Sequence, residues 1–160
     1  GYRCATEDTP AMILANLIFG GTSNSKLFMN VRERLSLCYY ASSSYARSKG
    51  IMTVSSGVEQ KDYDRAVEEI TRQLTAVQNG DWEDWEQQGA LQAMLSSLTS
   101  LPDSQSALEN YYLGQIATDA GETPEELTAA LREVTKERIM AAARSAKLDT
   151  VYFLHGKEEA

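Results

Sequence analysis

A chain of 160 residues with a formal charge of −8 and a pI near 4.7 lacks the basic footprint that nucleic acid requires. The same charge disfavours an anionic membrane surface, and no apolar run approaches the ~20 residues of a membrane-spanning helix. Apolar content of 42% and charged content of 24% are ordinary for a soluble globular chain, and the length suits one domain over residues 1–160. Cys4 and Cys38 match no zinc or redox spacing; they read as reduced thiols, which suits a cytoplasmic protein. The chain opens on Gly1 rather than Met, so it reads as a fragment of a longer protein, and a missing targeting signal carries little weight.

Gly1-Tyr2-Arg3-Cys4 reads as the end of a strand whose beginning lies outside the chain. Thr9 and Pro10 predict a helix start, with Thr9 as cap and Pro10 at the first helical position. The apolar run from Met12 to Phe19 follows, and Gly20-Gly21 should end it. Ser23 or Asn24 should cap the next helix, whose Leu27, Phe28, Val31 and Leu35 keep helical spacing. Arg32 and Arg34 close it, where cations suit the helix dipole. Strands are expected over 39–48 and 51–58, joined at Ser48-Lys49-Gly50 as a hairpin.

The second half is predicted to be helical. Tyr63, Ala66, Val67, Ile70, Leu74 and Val77 mark an amphipathic helix that Asn79-Gly80 terminates. Asp81 should cap a long helix carrying Leu91, Met94, Leu95 and Leu98, and Pro102-Asp103 breaks it and starts the next one. Gly121 stops that helix. Thr123-Pro124-Glu125-Glu126 is a capping box, and Thr135 opens one more helix. Val151-Tyr152-Phe153-Leu154 is expected to be a last strand, and Gly156 with the charged Lys157-Glu158-Glu159 finishes the chain. The order predicts an α+β two-layer sandwich, with a small, mostly antiparallel sheet covered by helices on one face.

Most catalytic chemistries fail on residue inventory. A zinc peptidase site needs two histidines and a carboxylate, with a glutamate as base, and His155 is the single histidine. No Gly-x-Ser-x-Gly turn surrounds Ser42, Ser43, Ser44, Ser55 or Ser56, so these read as polar strand positions. Ser55-Ser56-Gly57 also reads as a stretch kept small for close packing. Gly20-Gly21 lacks the lysine and spacing of a phosphate loop. Glu83, Asp84 and Glu86 read as a solvated helix start. What remains is Arg32 at a helix end and Tyr39 seven residues on at a strand start, a cation and a phenol brought to one junction.

Gly20-Gly21, then Ser25-Lys26-Leu27-Phe28, then Arg32 and Tyr39, resembles the second-domain signature of the pitrilysin/insulinase zinc metallopeptidase family, which includes mitochondrial processing peptidase. The likeness covers essentially the whole chain. Tyr39-Tyr40 and the closing Val151–Lys157 stretch look closest to a bacterial subgroup that often lacks the zinc motif. The resemblance implies the fold of a mitochondrial-processing-peptidase-like metallohydrolase domain. It implies that two homologous domains close on a peptide, the first holding zinc and the catalytic glutamate. Arg32 and Tyr39 would then contact the substrate and support the reacting carbonyl, with no catalytic residue and no metal in this chain. The partner would be a zinc-bearing homologous domain or subunit. The competing expectation is a non-catalytic pseudo-peptidase or interaction module.

Overall fold

The structure, a computed structural model, describes residues 1–156; the charged Lys157-Glu158-Glu159 end lies outside the described residues. Strand β1 (Tyr2–Cys4) leads to helix α1 (Thr9–Asn16), which runs on without a break into a π turn, Leu17–Gly21. A π-helix follows at Leu27–Arg34, then the hairpin of β2 (Tyr40–Ala46) and β3 (Ile51–Gly57). Helices α2 (Tyr63–Asn79), α3 (Asp84–Thr99), α4 (Gln105–Ala117), α5 (Pro124–Arg132) and α6 (Lys136–Ser145) precede β4 (Ala146–Leu148). The sheet is wholly antiparallel, in the order β2-β3-β1-β4. This is the expected α+β sandwich.

The sheet buries one face. Tyr2, Cys4, Ala41, Ser43 and Met52 point inward, whereas Arg3, Tyr40, Ser42, Ser44, Ile51 and Thr53 point out, as period-two alternation requires. The core over that face holds Met12, Leu14, Ile18 and Phe19 of the first helix, Leu27 and Val31 of the π-helix, and Ile139 of α6. Ser43, the one buried hydroxyl in β2, donates to both the carbonyl and the side-chain Oδ1 of Asn16 (3.2 and 2.8 Å), so neither buried group is left unpaired.

Several local expectations shift by a residue or two. The first helix is capped by Asp8, not Thr9. One Asp8 oxygen accepts from the Ala11 N–H (3.2 Å), and both take the Arg138 guanidinium of α6 (2.8 and 2.9 Å). A carboxylate can cap and hold a bidentate arginine at once, which a hydroxyl cannot. Gly20-Gly21 lies inside the helical run rather than after it. A Cβ on Gly20 would sit 2.6 Å from Leu27 Cδ1 and 2.8 Å from the Ser43 backbone nitrogen, so this glycine serves a close approach. Ser25, not Ser23 or Asn24, accepts from the Phe28 N–H (3.4 Å). Gly57 does lie in a tight contact, under the Tyr40 ring.

The α3 start also moves. Residues 80–82 complete the end of α2, with Gly80 at φ 81° and the Asp81 N–H bonded to Ala76 (2.9 Å), so Glu83 becomes the cap. The Glu86 carboxylate accepts from the Glu83 N–H (2.8 Å) and pairs with Lys26 (3.2 Å), both side chains being about nine-tenths buried. Glu86 is therefore not a solvated charge. The expected last strand at Val151–Leu154 is not paired. The ladder on β1 ends where Asp149 and Thr150 donate to the Gly1 carbonyl (2.9 and 3.3 Å), and β4 is the preceding Ala146–Leu148. The capping box at Thr123 and Glu126 (3.2 and 2.8 Å) and the Thr135 cap on the Arg138 N–H (3.4 Å) form as the sequence predicts.

Gly20→Ala is expected to destabilise the fold by about 1–3 kcal/mol, because backbone blocks relief of the contact. Gly114→Ala, in α4 with nothing near its added Cβ, should stabilise by about 0.5–1 kcal/mol. Urea midpoints of the two variants check the opposite signs. The Arg138 guanidinium holds the Asp8 carboxyl below its ordinary value, against the opposing effect of partial burial. Its contribution is thus complete above about pH 4–5 and is lost as pH falls through the lowered value. An Asp8→Asn variant should lose less stability than the parent between pH 5 and the acid limit, read as urea midpoint against pH.

Candidate functional site

Arg32 and Tyr39 line one open cleft, with Glu33, Ser36, Leu37, Cys38, Glu59 and Asp62, and its volume is about 420 Å³. The turn that joins them is built by the backbone. Leu35 N–H reaches Asn30 O (3.2 Å), Ser36 N–H reaches Arg32 O (3.1 Å), and Leu37 N–H reaches Val31 O (3.1 Å). Closing that turn places Ser36 at φ 50°, the left-handed region that side chains avoid. Tyr39 then enters the sheet edge through its own N–H, which donates to Gly57 O (2.9 Å).

The guanidinium of Arg32 lies 4.6 Å from the centre of the Phe28 ring, and its Nε is 3.6 Å from a Glu33 oxygen. The ring offers the cation a cation–π contact, and the two NH₂ groups stay available to other acceptors. The Tyr39 side chain reaches into solvent, with 76% of the residue exposed. Arg32 also borders a second groove along the outer strand β2, shared with Gly20, Gly21, Phe28, Tyr40 and Ala41. The cation thus borders both the cleft it shares with the phenol and the groove along the edge strand.

The carboxylates of the cleft are matched by cations. Glu59 pairs with Lys61 (2.7 Å) and Asp62 with Arg65 (3.5 Å). The hydrogen bond to Glu59, and then its charge, raise the Lys61 pKa, so Lys61 stays a cation throughout the neutral range. Ser36, Glu59 and Asp62 were not singled out from the sequence, and Phe28 reads as an apolar helix position and part of the signature, not as a partner of Arg32. The Phe28–Arg32 spacing of four was a usable signal for a stacked pair. The acids of the following loop gave none.

Among the described residues, no three His, Cys, Asp or Glu side chains gather as a metal site. His155 is exposed and stacks on Phe153 with centroids 5.4 Å apart. Among the described residues, the donor set therefore does not fit a zinc ion. Among the same residues, no helix is long and apolar enough to cross a membrane.

A family profile described as "Peptidase M16 inactive domain" matches residues 3–94. The chain belongs to that family. The resemblance to pitrilysin/insulinase peptidases, and to a bacterial subgroup, is upheld by a relative from Bacillus subtilis (strain 168) named probable inactive metalloprotease YmfF. It is 37% identical over 164 residues, which cover all of this chain and 38% of the relative. A crystal structure of a conserved protein from Enterococcus faecalis V583 superposes with a TM-score of 0.89 at 32% identity, over 99% of this chain and 39% of that one. A protease from Helicobacter pylori shares the fold, with a TM-score of 0.77 at 12% identity over 91% of this chain and 37% of that one. The chain thus spans less than two-fifths of the length of the Bacillus relative. It is a second-domain-type member of a metallopeptidase family, of the kind called inactive.

Ser36→Gly should stabilise the fold by up to about 1 kcal/mol, because glycine accepts φ 50° freely. Ser36→Val should cost about 1–3 kcal/mol. Chemical denaturation of both variants decides; a destabilised glycine variant would show that the side chain, not the backbone, holds the turn.

Proposed function

We propose that this domain is the peptide-contacting half of a zinc metallopeptidase assembly, in which Arg32 and Tyr39 bind a substrate carbonyl and zinc is held elsewhere. The observation that supports the reading is the cleft shared by Arg32 and the exposed Tyr39, with Arg32 also bordering the groove along the edge strand β2. An extended peptide can add to such an edge through main-chain hydrogen bonds. A guanidinium is always charged, and a phenol adds a neutral donor, so the pair suits a carbonyl oxygen that gains charge during hydrolysis.

Exposure sets what else is required. In water, each such hydrogen bond is worth only about 0.5–1.5 kcal/mol, because the solvent competes. The same donors count for far more once water is excluded. The cleft therefore calls for a second surface to close over it, and a homologous zinc-bearing domain or subunit is the partner we assign. Both cysteines are free thiols, which supports a cytoplasmic setting.

The name of the Bacillus relative favours a second reading, in which the parent protein grips peptide without cutting it and any hydrolysis occurs at a partner subunit's zinc. In the full-length assembly, Arg32→Ala should lower peptide turnover by about 10²–10³-fold with zinc content unchanged, and Tyr39→Phe should lower it less. If the parent has no turnover, the same variants should weaken peptide binding. Turnover and binding both at parental levels would sink the role of the pair.

A further inference from the structure

Charge is divided unevenly along this chain. Residues 81–126 hold ten of its 23 acids, none of its 15 Lys and Arg, and no histidine. The rest of the chain is close to balanced, with 15 cations against 13 acids. The formal charge of −8 therefore falls between the turn before α3 and the first turn of α5. Among the described residues, ion pairs reach only two of these ten acids, Glu86 from Lys26 and Glu122 from Arg47 (3.2 and 3.3 Å).

The middle of that stretch is a helix with an open apolar face. α4 buries Gln115, half-buries Ala107, Leu108 and Tyr111, and packs chiefly on the Leu101–Asp103 turn before it. Tyr111 donates to Glu122 O (3.1 Å), and the Gln115 side chain accepts from the Glu122 N–H (3.3 Å), which holds the helix at its second half. Leu113 and Ile116 are 62% and 77% exposed. Tyr112 is exposed beside them, its ring set edge-on against Tyr111 with centroids 5.5 Å apart. With Leu108 these residues line a shallow groove of about 450 Å³ that Glu109 also borders. Asp103 and Asp119 stand at the two ends of the helix, both exposed. A contiguous apolar stripe rimmed by charge is the usual mark of an interaction surface.

Charge and backbone together choose the occupant. A second copy would set one acid-rich face against another, so self-pairing through α4 is opposed. An anionic membrane is opposed in the same way. The main chain of α4 is spent on its own helix, so docking here is by side chains and not by strand addition. Leu108, Tyr112 and Ile116 recur every four residues, a ridge that the apolar row of a facing helix can match. Cations flanking that row would meet Asp103, Glu109 and Asp119.

We propose that α4 is the docking surface for a protein partner that presents a basic amphipathic helix, its apolar row seated on Leu108, Tyr112, Leu113 and Ile116. The surface is separate from the Arg32–Tyr39 cleft. Arg47 at the hairpin tip reaches Glu122, whereas Tyr39 enters the sheet at the opposite end of β2. That strand is seven residues long, or about 20 Å. Docking on α4 is therefore independent of peptide contact at the cleft.

The probe is a labelled synthetic helix of Leu and Lys with its leucines on one face, titrated into the full-length protein and followed by fluorescence anisotropy. Saturable binding is expected. Ile116→Ser and Glu109→Lys should each weaken it by about tenfold or more, with Tm at the parental value. Tyr152→Ser, at an exposed apolar residue outside α4, should leave it unchanged. Raising salt from about 50 mM to about 500 mM should also weaken it by about tenfold. A peptide of the same composition with its leucines scattered around the helix, and one with Glu in place of Lys, should each bind about tenfold more weakly or worse. Absence of binding overturns the proposal, because the face is then covered within the full-length protein. Equal binding of the scattered peptide, or binding insensitive to both α4 variants, overturns it too. Dimerisation that Ile116→Ser abolishes, read by sedimentation, would make a second copy the occupant and count against it equally.

Discussion

The backbone of Gly20 lies within a Cβ's reach of Ser43 in β2 and of Leu27 at the start of the π-helix. Three elements meet there at the smallest separation the chain allows. The Ser43 hydroxyl, bonded twice to Asn16, fixes the same contact by hydrogen bonding. The position of the π-helix over the sheet follows from it, and with the π-helix come Phe28, Arg32 and the turn into Tyr39. A side chain at residue 20 would push the helix off β2 and separate the two halves of the cleft. Packing in the core and geometry at the surface are therefore one constraint.

Electrostatics act at several levels in this small domain. Asp8 with Arg138 joins the first helix to the last. Lys26 with Glu86 joins the π-helix start to α3, nearly out of water. Arg47 with Glu122 ties the hairpin tip to the loop after α4, where Tyr111 also donates to the Glu122 carbonyl (3.1 Å) and burial pushes its hydroxyl up to about 12. Each pair links elements distant in sequence, so charge here supplies registry between layers more than raw stability.

The parts of the fold legible in the sequence were those governed by local chemistry. The Thr123 box, the Thr135 cap, the Gly80 stop and the hairpin with Gly50 at φ 58° are each set by a few neighbouring residues. The parts that were misread depend on distant partners. Asp8 caps because Arg138 is there, 130 residues away. Glu86 is buried because Lys26 faces it. Val151–Leu154 has the composition of a strand, but pairing needs a neighbour that local sequence does not show. The π geometry of Leu27–Arg34 was hidden too, since its apolar spacing is the same as that of an ordinary helix. Arg32 and Tyr39 were legible as a pair, whereas the Phe28 ring under the guanidinium and the strained Ser36 between them emerge only from the folded turn.

The matched acids of the cleft bear on how a ligand would arrive. Glu33, Glu59 and Asp62 each have a cation at hand, so the cleft projects little net field, although the chain as a whole carries −8. Whatever field the protein does project fades over a Debye length of about 8 Å at physiological ionic strength. On the proposed role, a ligand at this cleft would be sorted by fit and main-chain geometry after contact, not by attraction during approach. Added salt should leave its capture rate almost untouched, and the composition of the ligand's side chains should matter less than its ability to lie extended.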